Sequence, residues 1–165
     1  EAVFLISVSQ PDITFDTDLP STPLMGRFDA RLVGQALANI IKNATEAIAA
    51  VPAAPDYKGA IHVVARNEGG AIVVDVIDNG IGLPRENRQR LLEPYVTTRE
   101  NGTGLGLAIV TKIIEEHGGR VELLDAPSVA SGGRGAMIRV TLPRVAEAGE
   151  TIEPEEPEII SAAGA

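Results

Sequence analysis

Asn101-Gly102-Thr103-Gly104-Leu105-Gly106-Leu107-Ala108-Ile109-Val110 has a glycine at every second position and then continues into an apolar helical pattern. Glycine has no Cβ and tolerates positive φ, so this loop can bring its backbone N–H groups close to a ligand. The helix after it adds unpaired N–H groups and a partial positive charge at its first turn. The stretch therefore indicates an anion site, with phosphate as the expected anion, although by itself such a stretch is more often a plain turn before a helix.

The spacing of these glycines differs from that of the better-known phosphate-binding loops. A P-loop needs a Lys and then a Ser or Thr directly after its last glycine, and no lysine stands directly after Gly106. A dinucleotide-binding loop follows a strand, whereas residues 94–100 have an irregular pattern. Neither of those two folds is indicated.

The composition predicts one globular domain with an acidic tail. The chain has 165 residues, of which 44% are hydrophobic, which suffices for one core and not for two. Residues 146–165 contain six glutamates and no Lys or Arg, so the remaining chain has 17 acidic against 14 basic side chains. We expect a folded domain over residues 1–145 and a solvated tail or linker over residues 146–165.

The same composition excludes several classes of function. The chain has no cysteine, so it has no disulfide, thiolate nucleophile or cysteine metal site, and this suits a reducing cytoplasm. The nearly balanced charge of the domain and the 3% aromatic content argue against nucleic-acid binding. No apolar run approaches the roughly 20 residues of a membrane span. Because the chain begins with Glu1 and not Met, we expect it to be a piece of a longer protein.

The hydrophobic pattern predicts two strands, a helix, a hairpin, loops, a second helix and a last hairpin. The first helix is expected to follow Asp29 as its cap and to end at Val51-Pro52. The predicted strands are 3–8, 13–16, 61–66, 71–77, 120–125 and 135–142; the other predicted helical stretches are a polar one over 85–92 and one from about Thr103 to His117. This order predicts an α+β two-layer sandwich with helices on one face of a mixed sheet.

Three motifs stand in order along these elements: Asn39-Ile40-Ile41-Lys42-Asn43 in the first helix, Asp78-Asn79-Gly80-Ile81-Gly82 at a strand end, and Gly102-Thr103-Gly104-Leu105-Gly106 before the second helix. Each motif is ambiguous alone. Together, over residues 20–143, they resemble the N, G1 and G2 boxes of the ATP-binding domain shared by sensor histidine kinases, type II topoisomerases, Hsp90 and MutL. The resemblance implies the Bergerat fold, with a mostly antiparallel sheet and a short lid over ATP, and it implies ATP and Mg²⁺ as ligands.

The resemblance assigns a task to each motif. Asp78 would accept a hydrogen bond from the adenine amino group, with Gly80 and Gly82 leaving room for the ring. Asn43 would bind Mg²⁺ through its amide oxygen, a hard neutral ligand, and the glycine loop would wrap the phosphates. The implied nucleotide-binding set is Asn39, Lys42, Asn43, Asp78, Gly80, Ile81, Gly82, Leu83, Thr97, Thr98, Arg99, Gly102, Thr103, Gly104, Leu105, Gly106 and Leu107. Without the resemblance, Asp78 is typical of an Asp-Asn-Gly turn and Asn43 of an exposed helix residue or a cap.

One position in the first motif separates the members of this superfamily. The ATP-hydrolysing members carry a glutamate four residues before the metal-binding Asn, and here that position is Asn39, which cannot act as a general base. Hydrolysis is therefore disfavoured, and the candidates for the catalytic part are Asn39, Asn43 and Arg99. Positive charge at the γ-phosphate is expected from Arg99 or from Lys42, although Arg99 is equally typical of an exposed loop cation.

The string Leu92–Val110 and the string Ile114–Gly119 are similar to the nitrogen-regulation sensor kinases of the NtrB and NtrY type. The usual aromatic positions of the F box are Leu92 and Tyr95 here, which is a mild change, since only Leu92 lacks an aromatic ring. The chain also departs from the wider family pattern at Glu46, where several members have a phosphate-binding lysine, and at Ala136, where some have a threonine near adenine. No phosphate role is therefore transferred to Glu46.

The resemblance implies the catalytic domain of a two-component sensor histidine kinase, which is a cytoplasmic domain and leaves open a parent anchored in the inner membrane. It implies a histidine-bearing dimerisation domain and a response regulator as partners, with the fragment monomeric and the parent homodimeric. His62 and His117 are interpreted as structural and not as phosphoacceptors. The alternatives are an anti-sigma-type serine kinase of the same fold, a non-catalytic nucleotide-binding interaction module, and an ATPase of the same superfamily.

Overall fold

A computed structural model describes residues 2–97, 103–127 and 135–145 of the chain. Five strands form one sheet in the order β1-β2-β3-β5-β4, and only the β1–β2 pair is parallel within these residues. The strands are β1 (Ile13–Asp18), β2 (Gly59–Glu68), β3 (Ala71–Asp78), β4 (Arg120–Asp125) and β5 (Ala136–Pro143). The predicted mixed, mostly antiparallel sheet and its two hairpins are confirmed.

Helices α2 (Ala30–Ala49) and α3 (Gly106–Glu116) pack on this sheet and close the core. Helix α2 begins where predicted because the Asp29 carboxylate accepts hydrogen bonds from the N–H groups of Arg31 at 2.8 Å and Leu32 at 3.1 Å, which satisfies two donors of its first turn. Its apolar stripe is buried against α3 and the inner face of the sheet; the core includes Val33, Ile40, Ile41, Ile61, Val76, Val110, Ile114 and Val140.

The first predicted strand is wrong, because residues 2–9 form a helix, α1 (Ala2–Ser9). A short apolar run rich in β-branched residues suits either a strand or a buried helix, and its periodicity does not decide between them. In the helix, Val3 and Ile6 lie three residues apart and both pack against the core. Tertiary packing on α2 and β1 therefore overrides the local β preference.

Two helix starts also differ from the sequence-based expectation. The predicted stretch 85–92 contains a 3₁₀ helix only over Arg88–Leu92, since Asn87 adopts a left-handed φ of 54°. Helix α3 begins at Gly106 and not near Thr103, because Gly104 has a φ of 66°, which a right-handed helix cannot contain.

Thr98, Arg99, Gly102 and the tail 146–165 lie outside the described residues. The expectations for these positions, and for the lid over ATP, therefore stay predictions. Within the described part of the chain, no helix is both long enough and apolar enough to cross a membrane.

Asp75 forms the most strongly bonded ion cluster of the described sheet. It lies on the face of β3 opposite Val76, since side chains alternate along a strand, and its side chain is only 5% exposed. The Arg139 guanidinium donates to both carboxylate oxygens, at 2.7 and 3.0 Å, and Arg66 donates at 2.7 Å. Burial raises the pKa of Asp75, but the hydrogen bonds from Arg139 and Arg66 outweigh burial, so the net pKa is lowered.

We expect Asp75→Asn to lower the free energy of unfolding at pH 7 by about 1–3 kcal/mol, because a buried charge-assisted cluster loses its anion. The folded-state pKa of Asp75 is depressed, so this contribution is present above the unfolded-state pKa of about 4 and is lost as the pH falls through the folded-state value. Urea unfolding at a series of pH values from 7 down to acid should show that the difference in unfolding free energy between parent and variant becomes smaller. The exposed Asp16→Asn serves as control, with a change within about 0.5 kcal/mol; a gap that persists in acid would contradict this account.

Candidate functional site

A cavity of about 820 Å³ opens between α2, the end of β3 and the glycine loop before α3. Thirteen of the seventeen nucleotide-binding candidates line it: Asn39, Lys42, Asn43, Asp78, Ile81, Gly82, Leu83, Thr97, Thr103, Gly104, Leu105, Gly106 and Leu107. Residues from all three sequence motifs therefore face one space, although the motifs lie up to about 60 positions apart in the chain. A cavity of this size falls within the range of small-molecule sites.

Helix α2 contributes a polar edge to the cavity. Asn39, Lys42, Asn43 and Glu46 recur at spacings of three and four, so they lie along one side of the helix, while Ile40 and Ile41 are buried in the core. The sequence analysis transferred no phosphate role to Glu46, because several relatives have a lysine at that position. In the structure Glu46 nevertheless lines the cavity.

Asp78 stands at the inner end of the cavity, where β3 stops. Its side chain is buried, and its Oδ1 accepts a hydrogen bond from the Gly80 N–H at 2.8 Å. Asp78 thereby lines the cavity together with residues of α2 and β5. A carboxylate in the lining of the cavity favours a ligand with an N–H donor, because carboxylate oxygens accept hydrogen bonds.

Gly80 does not line the cavity and instead lets β3 approach α2. A Cβ added at Gly80 would lie 2.5 Å from the carbonyl carbon of Ala47. The next residue, Ile81, donates its N–H to the Ala47 carbonyl at 3.1 Å. The glycine thus has a packing task that sets the distance between Asp78 and the polar edge of α2.

Asn79 follows β3 and forms hydrogen bonds to β2 and to the loop that precedes β2. The sequence analysis missed this role. Asn79 is 1% exposed. Its Oδ1 accepts from the Ala60 N–H at 2.8 Å, its Nδ2 donates to the Lys58 carbonyl at 2.8 Å, and the Tyr57 hydroxyl donates to its backbone carbonyl at 3.0 Å. Burial raises the pKa of Tyr57, and the negative charge of Asp78 raises it further.

The glycine loop forms the other end of the cavity. Gly104 has a φ of 66°, its carbonyl accepts from the Tyr95 N–H at 3.0 Å, and a Cβ there would lie 2.6 Å from the Tyr95 carbonyl carbon. Gly106 opens α3 directly opposite Asn43: a Cβ at Gly106 would be 3.7 Å from Asn43 Oδ1. The positive end of the α3 dipole and the Asn43 amide therefore face the same region, which suits an anion.

Apolar side chains form the walls between these two ends. Sequence reasoning did not assign Leu91, Val96, Ile109, Ala136 and Ile138 to the site, yet all of them line the cavity. They come from the 3₁₀ helix, from the segment after it, from α3 and from β5, so no single local pattern marks them. An apolar slot with a carboxylate at one end and glycine N–H groups at the other fits a flat heterocycle carrying phosphates.

The described residues could bind a divalent cation only together with a bound phosphate. Among the described residues, no group of three or more His, Cys, Asp and Glu could hold a metal ion. Asn43 offers one hard amide oxygen beside the start of α3, and Mg²⁺ commonly takes one or two protein ligands together with phosphate oxygens and water. Asn43 would therefore hold the ion in company with a bound phosphate.

Comparison with known proteins agrees with this geometry. Residues 28–146 match the family described as histidine kinase-, DNA gyrase B-, and HSP90-like ATPase. The chain is 59% identical over 142 residues to the nitrogen regulation protein NtrY of Azorhizobium caulinodans, covering 86% of this chain and 18% of that protein. It is 38% identical over 135 residues to the sensory histidine kinase/phosphatase NtrB of Rhodobacter capsulatus, covering 78% of this chain and 35% of that protein. The chain thus spans about a fifth to a third of these relatives.

Solved structures show the same fold. The mycobacterial sensor histidine kinase MprB superposes with a TM-score of 0.72 at 26% identity, over 87% of this chain and 91% of that one. Full-length ShkA, solved in complex with AMPPNP, superposes with a TM-score of 0.70 at 26% identity, over 88% of this chain and 29% of that one.

We expect Asn79→Ala to lower the free energy of unfolding by about 2–4 kcal/mol, because it leaves the buried Ala60 N–H and Lys58 carbonyl without their partner. The exposed Asn67→Ala is the matched control and should change stability by at most about 0.5 kcal/mol. Equilibrium denaturation in urea measures both. Equal effects of the two substitutions would show that the Asn79 contacts contribute little.

Proposed function

Because this chain belongs to the histidine kinase-, DNA gyrase B-, and HSP90-like ATPase family, we propose that it transfers the γ-phosphoryl group of ATP to a histidine on another domain. It is a histidine kinase ATPase domain of the NtrY and NtrB type. The observation that carries the proposal is the convergence of Asp78, Asn43 and the Gly104–Gly106 loop on one cavity. The acceptor histidine would lie on a dimerisation domain of the parent protein, and a response regulator would then receive the phosphoryl group.

We propose that the nucleotide lies with adenine at Asp78 and its phosphates at the start of α3. The buried Asp78 carboxylate would accept a hydrogen bond from the exocyclic amine. Ile81 and Leu83 on one side and Leu91 on the other line the space for the ring. At the far end, Thr103 through Leu107 would surround the triphosphate, where the N–H groups of the first turn of α3 are directed.

In the transfer step a ring nitrogen of the acceptor histidine forms a bond to the γ-phosphorus, while the bond from that phosphorus to the bridging oxygen breaks and ADP leaves. Such a step depends on alignment and on neutralising negative charge more than on proton transfer. Lys42 lines the cavity, and we propose that either Arg99 or Lys42 supplies positive charge at the γ-phosphate. Mg²⁺ held by Asn43 would add charge neutralisation when bound. Asn39 carries no carboxylate to activate water, which favours a protein acceptor over hydrolysis.

The same proposal extends to the setting of the domain. We place it in the cytoplasm, where ATP is available, as a monomeric module of a homodimeric parent. The homodimer follows from the proposed dimerisation domain. To bring its acceptor histidine to this site, the parent needs a flexible joint between the two domains or a change in the contact between them.

We expect Asp78→Asn to weaken ATP binding by about 10- to 150-fold, because the amide cannot replace a charged acceptor and brings its own N–H donors toward the adenine amine. Isothermal titration calorimetry of the chain with Mg-ATP measures the loss. Asp56→Asn, at an exposed loop carboxylate, is the matched control and should bind like the parent. Full affinity in a correctly folded Asp78→Asn variant would remove Asp78 from the binding site, and no binding by the parent at millimolar ATP would overturn the proposed function.

We expect Asn43→Ala to slow phosphoryl transfer by about 100-fold or more, because it removes the amide ligand and its contact to the start of α3. The assay supplies the histidine-bearing domain of the parent with γ-labelled ATP and follows label on that domain. The same domain with its histidine changed to glutamine is the control and should stay unlabelled. Rapid steady-state release of phosphate without labelling would instead indicate an ATPase.

A further inference from the structure

His117 links the end of α3 to the start of α2. Its Nε2 lies 3.1 Å from the backbone nitrogen of Asp29, and its Nδ1 lies 2.6 Å from the carbonyl oxygen of Ile113. The Asp29 nitrogen carries a proton and can only donate, so Nε2 must be the acceptor. Nδ1 then carries the ring proton and donates to Ile113, which assigns the neutral imidazole with its proton on Nδ1.

Helices α2 and α3 form the side of the site where the phosphates are proposed to bind. The His117 contact lies at the opposite end of this helix pair. Helices α2 and α3 run antiparallel, because Asn43 of α2 faces Gly106 at the start of α3, whereas Asp29 before α2 faces His117 after α3. Helix α3 has 11 residues, so His117 lies about 16 Å along the helix from Gly106. It is too far from the cavity to touch a nucleotide.

The end of α3 is held against the sheet independently of His117. A Cβ added at Gly119 would lie 2.3 Å from the Thr141 carbonyl oxygen, so the chain passes very close to β5 directly after the helix. The Gly119 N–H also donates to the Ile114 carbonyl at 2.9 Å. Helix α2 packs on the same sheet, so the His117 contact adds one directional link between the end of α3 and the segment that begins α2.

We propose that neutral His117 is a positioning residue for nucleotide binding, and that its protonation weakens binding by releasing the Asp29 N–H from its acceptor. An imidazolium has two donors and no acceptor, so it would face the Asp29 N–H as a second donor. The start of α2 would then shift relative to α3, and the shift would change how Asn43 and the Gly106 N–H meet one phosphate. This inference rests on the proposed function, since it deepens the account of the same site.

The charged residues near His117 along the chain, and those of the segment that it contacts, come from three elements. Asp29 and Arg31 stand at the start of α2, Glu115 and Glu116 belong to the last turn of α3, and Arg120 opens β4. The hydrogen bond from the Leu32 N–H lowers the pKa of Asp29, burial opposes this, and the hydrogen bond from the Arg31 N–H lowers it further. The positive charges of Arg31 and of a protonated His117 also lower the pKa of Asp29, so the imidazolium is attracted to the Asp29 carboxylate while it repels the Asp29 N–H. Asp29 therefore stays ionised throughout the pH range in which an ordinary histidine titrates, so a change in that range reports the imidazole and not the cap.

The test measures the Kd for ADP with Mg²⁺ by calorimetry at about pH 8 and about pH 5.5, on either side of the ordinary histidine titration. The parent is compared with His117→Gln, whose amide keeps one donor and one acceptor and does not titrate, and with His117→Ala. Because the nucleotide itself titrates, the quantity compared is the ratio of the two Kd values in each protein. We expect this ratio to be about three- to ten-fold larger in the parent than in His117→Gln, the loss that one hydrogen bond explains.

We expect His117→Gln to bind as the parent does at the higher pH, and His117→Ala to bind weakly at both. Melting temperatures at both pH values test whether His117 only stabilises the fold. In that case the substitutions would change the melting temperature, but the Kd ratio of the parent and that of His117→Gln would be equal. Equal ratios in the parent and in His117→Gln therefore overturn the inference even if His117→Ala fails to fold. Absence of ADP binding by the parent at either pH overturns the proposed function instead, and the inference with it.

Discussion

The close contact between the end of β3 and helix α2 is the constraint on which the site depends. Gly80 lies against the Ala47 carbonyl with no room for a Cβ, and Ile81 donates to that same carbonyl. This contact brings the buried Asp78 carboxylate and the polar edge of α2 to the same cavity. The Gly80 carbonyl in turn accepts from the Gly135 N–H at 2.9 Å, so β5 is also tied to this junction. A side chain at Gly80 would separate the two groups that a nucleotide must reach together.

The second half of the site depends on the antiparallel pair of α2 and α3. The middle of the pair is apolar and buried, with Ile40 and Ile114 fully enclosed, and apolar packing resists separation better than it resists sliding. The two ends of the pair are marked by different neighbours: the Asn43 amide lies beside Gly106 at the start of α3, and His117 accepts a hydrogen bond from the Asp29 N–H at the other end. A contact remote from the cavity can therefore bear on the geometry at the phosphates.

The chemistry that this arrangement supports is positioning and not acid–base catalysis. The polar edge of α2 presents two amides, the Lys42 ammonium and the Glu46 carboxylate, and the start of α3 presents backbone N–H groups. The amides, the ammonium and the N–H groups can hold a triphosphate and stabilise its charge, but an amide at position 39 cannot take a proton from water. Under the proposed function, a nucleotide held in this way would keep its γ-phosphate until the acceptor histidine reaches it.

The sequence by itself determined the order of most elements, the mixed sheet and the three motifs, because helical and strand periodicity and glycine-rich turns are local properties of the chain. It could not assign residues 2–9, since Val3 and Ile6 become a helical face only when α2 is there to cover them. It also missed the roles of Asn79 and Leu91, and it placed Gly80 beside the ring, whereas in the structure Gly80 packs against Ala47. Only the tertiary structure decided these roles, because a buried hydrogen bond or a missing Cβ has meaning only through partners that lie far away in the chain.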